Sequence, residues 1–178
     1  MRASHVVWLV ALAGCALPAL AQWKEWDKDF DEDKKSWKEI EAKIPAFPNP
    51  SNLVRVQTGS ATPHQFFVDT RSVSIGEDGV VRYTVVTKTG GGATNITFEG
   101  IRCETRERKL YAIGHTDGAW VRARDTQWQR IMLKDLMPYY HTLYYDYFCP
   151  TRTHPTPLRQ ALDALKQGTS LARGPVTD

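Results

Sequence analysis

Hydrophobic positions change their period along this chain, and each change marks an element. Trp23, Trp26, Phe30, Trp37, Ile40 and Ile44 recur at steps of three, four and seven, with acids and lysines between them. That spacing predicts an amphipathic helix over 22–44 with one narrow apolar stripe. Asp33 stands where the stripe expects an apolar residue, so the first half is expected to fray or to dock separately. The polar face carries Asp27, Asp29, Asp31, Glu32 and Asp33, whereas helices lying on membrane surfaces are usually basic there. Packing on its own domain is therefore favoured over a membrane-surface or partner helix. Pro45, Pro48 and Pro50 then end the helix and give an extended linker.

Period two takes over next. Leu53 to Gln57, Phe66 to Asp69 and Val73 to Ile75 are short strand candidates, the last closed by the turn Gly76-Glu77-Asp78-Gly79. Val80 to Lys88 alternates, with Val81, Tyr83 and Val85 on one face against Arg82 and Thr84 on the other, which predicts a half-buried strand. Gly90-Gly91-Gly92 turns the chain back into Thr94 to Cys103. There Ile96 and Phe98 are expected inward and Asn95, Thr97 and Glu99 outward. A one-residue bulge at Gly100 would return Ile101 and Cys103 to the core side. Leu110 to Gly114 and Ala119 to Arg122 pair across His115-Thr116-Asp117-Gly118, where Asp-Gly supplies positive φ. The product is an antiparallel meander.

After Trp128 and Ile131 the period lengthens again. Tyr140, Leu143, Tyr144, Tyr147 and Phe148 fall on one helical face after Pro138, ending near Cys149-Pro150. A last helix opens at Thr156-Pro157, is expected to bury Leu158, Leu162 and Leu165, and stops at Gly168. The fold class is accordingly α+β: a meander sheet packed on one face by helices over Tyr139 to Phe148 and Pro157 to Gln167, with the N-terminal helix appended. Residues 45–168 make one domain, and 169–178 are expected to be a fraying tail.

The N-terminus changes the setting. Arg2 followed by Val6 to Ala13 gives a charged start and an apolar run too short to span a bilayer, which is a signal-peptide pattern over 1–21. Ala19-Leu20-Ala21 suits cleavage before Gln22 and release as a soluble periplasmic protein. Leu12-Ala13-Gly14-Cys15 suits lipidation of Cys15 and an anchor on the outer membrane facing the periplasm. The apolar run continues past Cys15 to Leu20, which favours release. Membrane contact is expected only if Cys15 is lipidated.

In such a compartment the remaining cysteines, Cys103 and Cys149, are read first as a bridge, ahead of free thiols or a metal pair, since no neighbouring residue has ligand spacing. Closing a loop of about 46 residues would contribute about 4 kcal/mol in the chain-entropy description. Charge adds little: 23 Lys and Arg stand against 20 Asp and Glu, scattered rather than striped, which argues against a nucleic-acid partner. Six Trp and seven Tyr point to a core built largely from aromatic packing.

The runs Gly79-Val80-Val81-Arg82-Tyr83-Thr84, Phe98-Glu99-Gly100-Ile101-Arg102-Cys103, Tyr111-Ala112-Ile113-Gly114, Asp117-Gly118-Ala119-Trp120 and Tyr147-Phe148-Cys149-Pro150 stand in that order. Together they resemble the CNP-like family of bacterial envelope proteins, over roughly Pro45 to Pro150. The resemblance implies export and a shared cysteine pair. It implies no activity and no catalytic residue.

Direct searches for chemistry return little. There is no nucleophile elbow, and Gly90 to Gly92 lacks the lysine and following helix of a phosphate loop. His64, His115, His141 and His154 show no metal-ligand spacing, so no metal or cofactor is expected. His141 alone lies among Tyr140, Tyr144, Tyr145 and Asp146 on a helix expected to face the sheet. With Glu99, the residues His141, Tyr144 and Asp146 are therefore the candidates for a polar ligand site or for acid–base chemistry. Two functions follow: a non-catalytic binding or structural module acting on an envelope protein or cell-wall component, or a periplasmic hydrolase with a His141-centred cleft.

Overall fold

A computed structural model describes residues 37–172 except Asp125 and Lys134. The chain divides at Trp37/Lys38, and the fold described is that of the second unit. A short turn, Pro50–Asn52, leads into strands β1 (Leu53–Val56), β2 (Gln65–Ile75), β3 (Val80–Lys88), β4 (Thr94–Arg102), β5 (Glu107–Gly114) and β6 (Trp120–Arg122). They pair antiparallel in sequence order, and a two-residue β7 (Gln129–Arg130) pairs with the start of β5. The meander and its turns follow the expected chemistry: Gly79, Gly92 and Gly118 all have positive φ.

Two of the expected strands, Phe66 to Asp69 and Val73 to Ile75, are one long β2 with an irregularity between them. Ser72 stitches it, its hydroxyl donating to the Asp69 carbonyl at 2.7 Å and accepting the Thr84 N–H at 2.8 Å. That replaces the ladder bonds the extra residues interrupt.

The helical layer is α1 (Tyr139–Thr142), running directly into a π-helical segment (Leu143–Phe148), then α2 (Leu158–Gln167). The wider turn ends with the Cys149 N–H on the Tyr144 carbonyl, a bond spanning five residues. This layer covers one sheet face and forms the main core with Val56, Phe66, Val68, Val81, Tyr83, Val85 and Ile101. Cys103 and Cys149 are disulfide-bonded within it, with Cα atoms 5.4 Å apart. The last helix buries Ala161, Ala164 and Leu165, whereas Leu158 is exposed and Leu162 only partly covered. Its small alanines face the core and allow close approach. The helix ends as expected at Gly168, in the left-handed conformation.

The sheet faces differ from the expected assignment. Glu99 lies opposite Tyr83 and Ile101 opposite Val81, so Glu99 faces the helix layer and Phe98 faces away. No bulge at Gly100 is needed, because Glu99, Ile101 and Cys103 already alternate onto one face. The bulge lies instead on β5, where Phe98 pairs with Ala112 but Glu99 pairs with Leu110, leaving Tyr111 extra. Nor is β3 half-buried: Val80, Arg82, Thr84 and Val86, on its far face, are all buried.

The cover on that far face is the segment expected to end the N-terminal helix. Residues 22–36 lie outside the described residues, but 37–44 form no helix. The Ile40 N–H donates to Asp78 Oδ2 at 2.9 Å and the Ile40 carbonyl accepts from Arg82 Nη2 at 2.8 Å. Backbone groups that a helix would use internally are thus bonded to sheet side chains. Phe47 then packs on Trp120, which packs on Phe98.

Candidate functional site

The four candidate residues fall in three places. Glu99 is buried in the sheet–helix core and accepts four hydroxyl bonds. Thr97 Oγ1, Tyr139 Oη and Tyr140 Oη donate to its Oε1 at 2.7, 2.8 and 3.1 Å, and Tyr83 Oη donates to Oε2 at 3.3 Å. Arg108 closes the cluster, its guanidinium carbon 4.1 Å from the centre of the Tyr140 ring. Burial pushes the Glu99 pKa above the usual carboxyl value, against the hydroxyl bonds and the charge of Arg108. Burial and the adjacent carboxylate likewise hold the Tyr83 and Tyr139 phenols protonated.

Tyr144 points elsewhere in the core. Its hydroxyl donates to the Cys103 carbonyl at 3.0 Å. It therefore braces the chain beside the disulfide.

His141 and Asp146 do share a space. They line an open groove of about 940 Å³ with Thr142, Tyr147, the Gln57 to Ser60 loop and the Gly168 to Leu171 turn. The His141 ring stacks on Tyr145 with centroids 4.2 Å apart. Asp146 is occupied: its Oδ1 accepts from Ser170 Oγ at 2.6 Å, and its carbonyl accepts the Leu171 N–H at 2.7 Å. The start of the expected fraying tail, through Leu171, is thereby pinned to the helical layer, with Leu171 against the core; residues 173–178 lie outside the described residues. At the rim of the groove Leu133 is 77% exposed, and Met132 and Leu136, near it in sequence, also present apolar side chains to solvent, Leu136 94% exposed.

The far face holds two further carboxylates that the sequence patterns did not single out. Asp78 makes a double contact with Arg82, Oδ1 at 3.1 Å and Oδ2 at 2.6 Å, in a pair almost wholly removed from solvent. Glu39 accepts from Lys109 Nζ at 2.7 Å, Tyr111 Oη at 2.8 Å and Trp128 Nε1 at 3.2 Å. Burial pushes both acids up, but the bonds from Arg82 and Lys109 and their charges outweigh it and hold both pKa values below the ordinary range. The Tyr111 ring lies over Gly100, where a Cβ would come within 2.8 Å of it. Arg82 and Glu99 lie on opposite faces of the sheet, and Arg102 pairs with Glu104.

Among the described residues no cluster of His, Cys, Asp and Glu has the arrangement of a metal site, and no helix is long and apolar enough to cross a membrane. The sequence profile of the CNP1-like family matches residues 32–166. No match was found among curated proteins or among solved structures.

Proposed function

The chain belongs to the CNP1-like family, and from that premise we propose that it is an exported envelope protein acting as a non-catalytic binding or structural module in the periplasm. One observation carries the reading. The polar groups that would have to cooperate in catalysis are each committed to holding the fold: Glu99 to four hydroxyls, Tyr144 to a backbone carbonyl and Asp146 to Ser170. The Cys103–Cys149 bridge suits an oxidising compartment. Exposed Leu133 at the rim of the groove supplies apolar contact area for an envelope protein or cell-wall component. Nucleic acid is not expected as a partner, and membrane contact depends on lipidation of Cys15.

A periplasmic hydrolase is the second reading, favoured by His141 and Asp146 lining one groove. Mass spectrometry of the protein recovered from cell fractions tests the first. A periplasmic chain beginning at Gln22 with Cys103 and Cys149 linked is expected. A cytoplasmic chain with free thiols contradicts export, and an acylated Cys15 replaces soluble release with an anchor. His141→Ala separates the two functions: a folded variant that keeps the cellular role fits binding, and one that loses it fits hydrolysis.

A further inference from the structure

Two non-glycine residues among those described have positive φ, and both are arginines: Arg106 at 56° and Arg152 at 67°. Each follows a half-cystine of the disulfide by three residues and closes a turn on it. The Arg106 N–H donates to the Cys103 carbonyl at 3.3 Å, and the Arg152 N–H donates to the Cys149 carbonyl at 2.9 Å. The disulfide joins the two turns, and Tyr144 joins them again, its hydroxyl bonding the Cys103 carbonyl at 3.0 Å and reaching the Arg152 carbonyl at 3.5 Å.

Both side chains converge on Tyr145. Arg106 Nη1 donates to Tyr145 Oη at 3.0 Å, and the Arg152 guanidinium carbon is 5.3 Å from the Tyr145 ring centre. His141 stacks on the same ring. Among the described residues neither arginine has a carboxylate within ion-pair distance, and Arg106 Nε is buried without a hydrogen-bond partner. Glu104 and Asp146, both close to these groups in sequence, are engaged elsewhere, Glu104 by Arg102 and Asp146 by Ser170.

Glycine adopts this backbone conformation freely, whereas a side chain there strains it. Arginine at both positions therefore points to a use for the guanidinium. We propose that Arg106, Arg152 and Tyr145 form a binding site for a phosphate group, its two turns held in register by the disulfide. One planar guanidinium satisfies a carboxylate by itself; two approaching from separate turns suit a tetrahedral oxyanion with several acceptor oxygens. The phosphate belongs either to a soluble phosphorylated compound or to a lipid headgroup. The site makes no use of the groove and does not depend on where the protein resides.

The test uses the full-length oxidised chain at low ionic strength, titrated with inorganic phosphate by NMR. It also measures retention on phosphatidylcholine vesicles with and without phosphatidic acid. Saturable phosphate binding that perturbs Tyr145 is expected. Arg106→Gly and Arg152→Gly should each weaken it about tenfold or more. Both should keep or raise thermal stability, because glycine relieves the backbone, and Arg159→Gln on the exposed surface of α2 should bind as the parent does. Retention that needs phosphatidic acid identifies a headgroup; phosphate binding without such retention identifies a soluble ligand. No saturable binding in either arm, undiminished binding in either glycine variant, equal loss in Arg159→Gln, or glycine variants that unfold would each overturn the proposal.

Discussion

The two faces of one sheet hold their buried carboxylates by opposite means. On the helix face, Glu99 is surrounded by hydroxyls of Thr97, Tyr83, Tyr139 and Tyr140, with Arg108 reaching it through the Tyr140 ring. On the far face, Asp78 and Glu39 bond directly to Arg82 and Lys109. Neutral donors satisfy a carboxylate's geometry but leave its desolvation only partly offset, so protonation becomes easier. A cation in contact offsets the desolvation and makes protonation harder. The faces should therefore respond to pH in opposite directions. Glu99, with a raised folded pKa, stabilises the fold below its unfolded pKa and loses that contribution as pH rises through its folded value. Asp78 and Glu39, with lowered values, stabilise it above theirs and lose that contribution as pH falls.

The largest way to break the comparison is to release the helix face from the sheet. Cys103→Ser opens a loop whose ends are 46 residues apart and is expected to cost about 4 kcal/mol in denaturant titrations. The π-helical segment should lose hydrogen-exchange protection before the far face does. Asp78→Asn comes next. It leaves the Arg82 charge buried without its partner, and breaking such pairs costs about 3 kcal/mol or more. Glu99→Gln should cost least, under about 1 kcal/mol at neutral pH, because the amide oxygen keeps an acceptor for the hydroxyls and no buried cation loses a bonded carboxylate. The same change should remove the fall in stability with rising pH that Glu99 causes. Urea midpoints measured across pH for the three variants would show the order and its sign.

The meander, its turns and the helical face from Tyr140 to Phe148 were legible because each rests on local pattern, and the Cys103–Cys149 pair because they are the two cysteines that follow the expected leader. Alternation with period two shows that Phe98 and Glu99 point oppositely, but not which of them faces the helices. An acid is ordinarily assigned to water, and only the three tyrosines from β3 and α1, brought in by the tertiary fold, make Glu99 an interior residue. The expected bulge at Gly100 came from that same assignment. Glycine there instead makes room for Tyr111 from the neighbouring strand. Residues 37–44 kept a helical period yet form no helix, because Asp78 and Arg82, about 40 residues away, capture the Ile40 backbone. His141 and Asp146, five residues apart, line one groove where α1 runs into the π-helical segment, whereas Glu99 was grouped with them only by assumption. Arg106 and Arg152 carried no signal, since left-handed positions are normally announced by glycine or asparagine.

The opposition between the faces is tested most directly by following the side-chain carboxyl carbons of Glu99, Glu39 and Asp78 by NMR through an acid titration of the oxidised chain. Glu99 should titrate above the ordinary glutamate value of 4.5, Glu39 below it, and Asp78 below the ordinary aspartate value of 3.8. Glu99 titrating at or below 4.5 would mean that water or a cation reaches it, and would contradict the account of a hydroxyl-held carboxylate in the sheet–helix core.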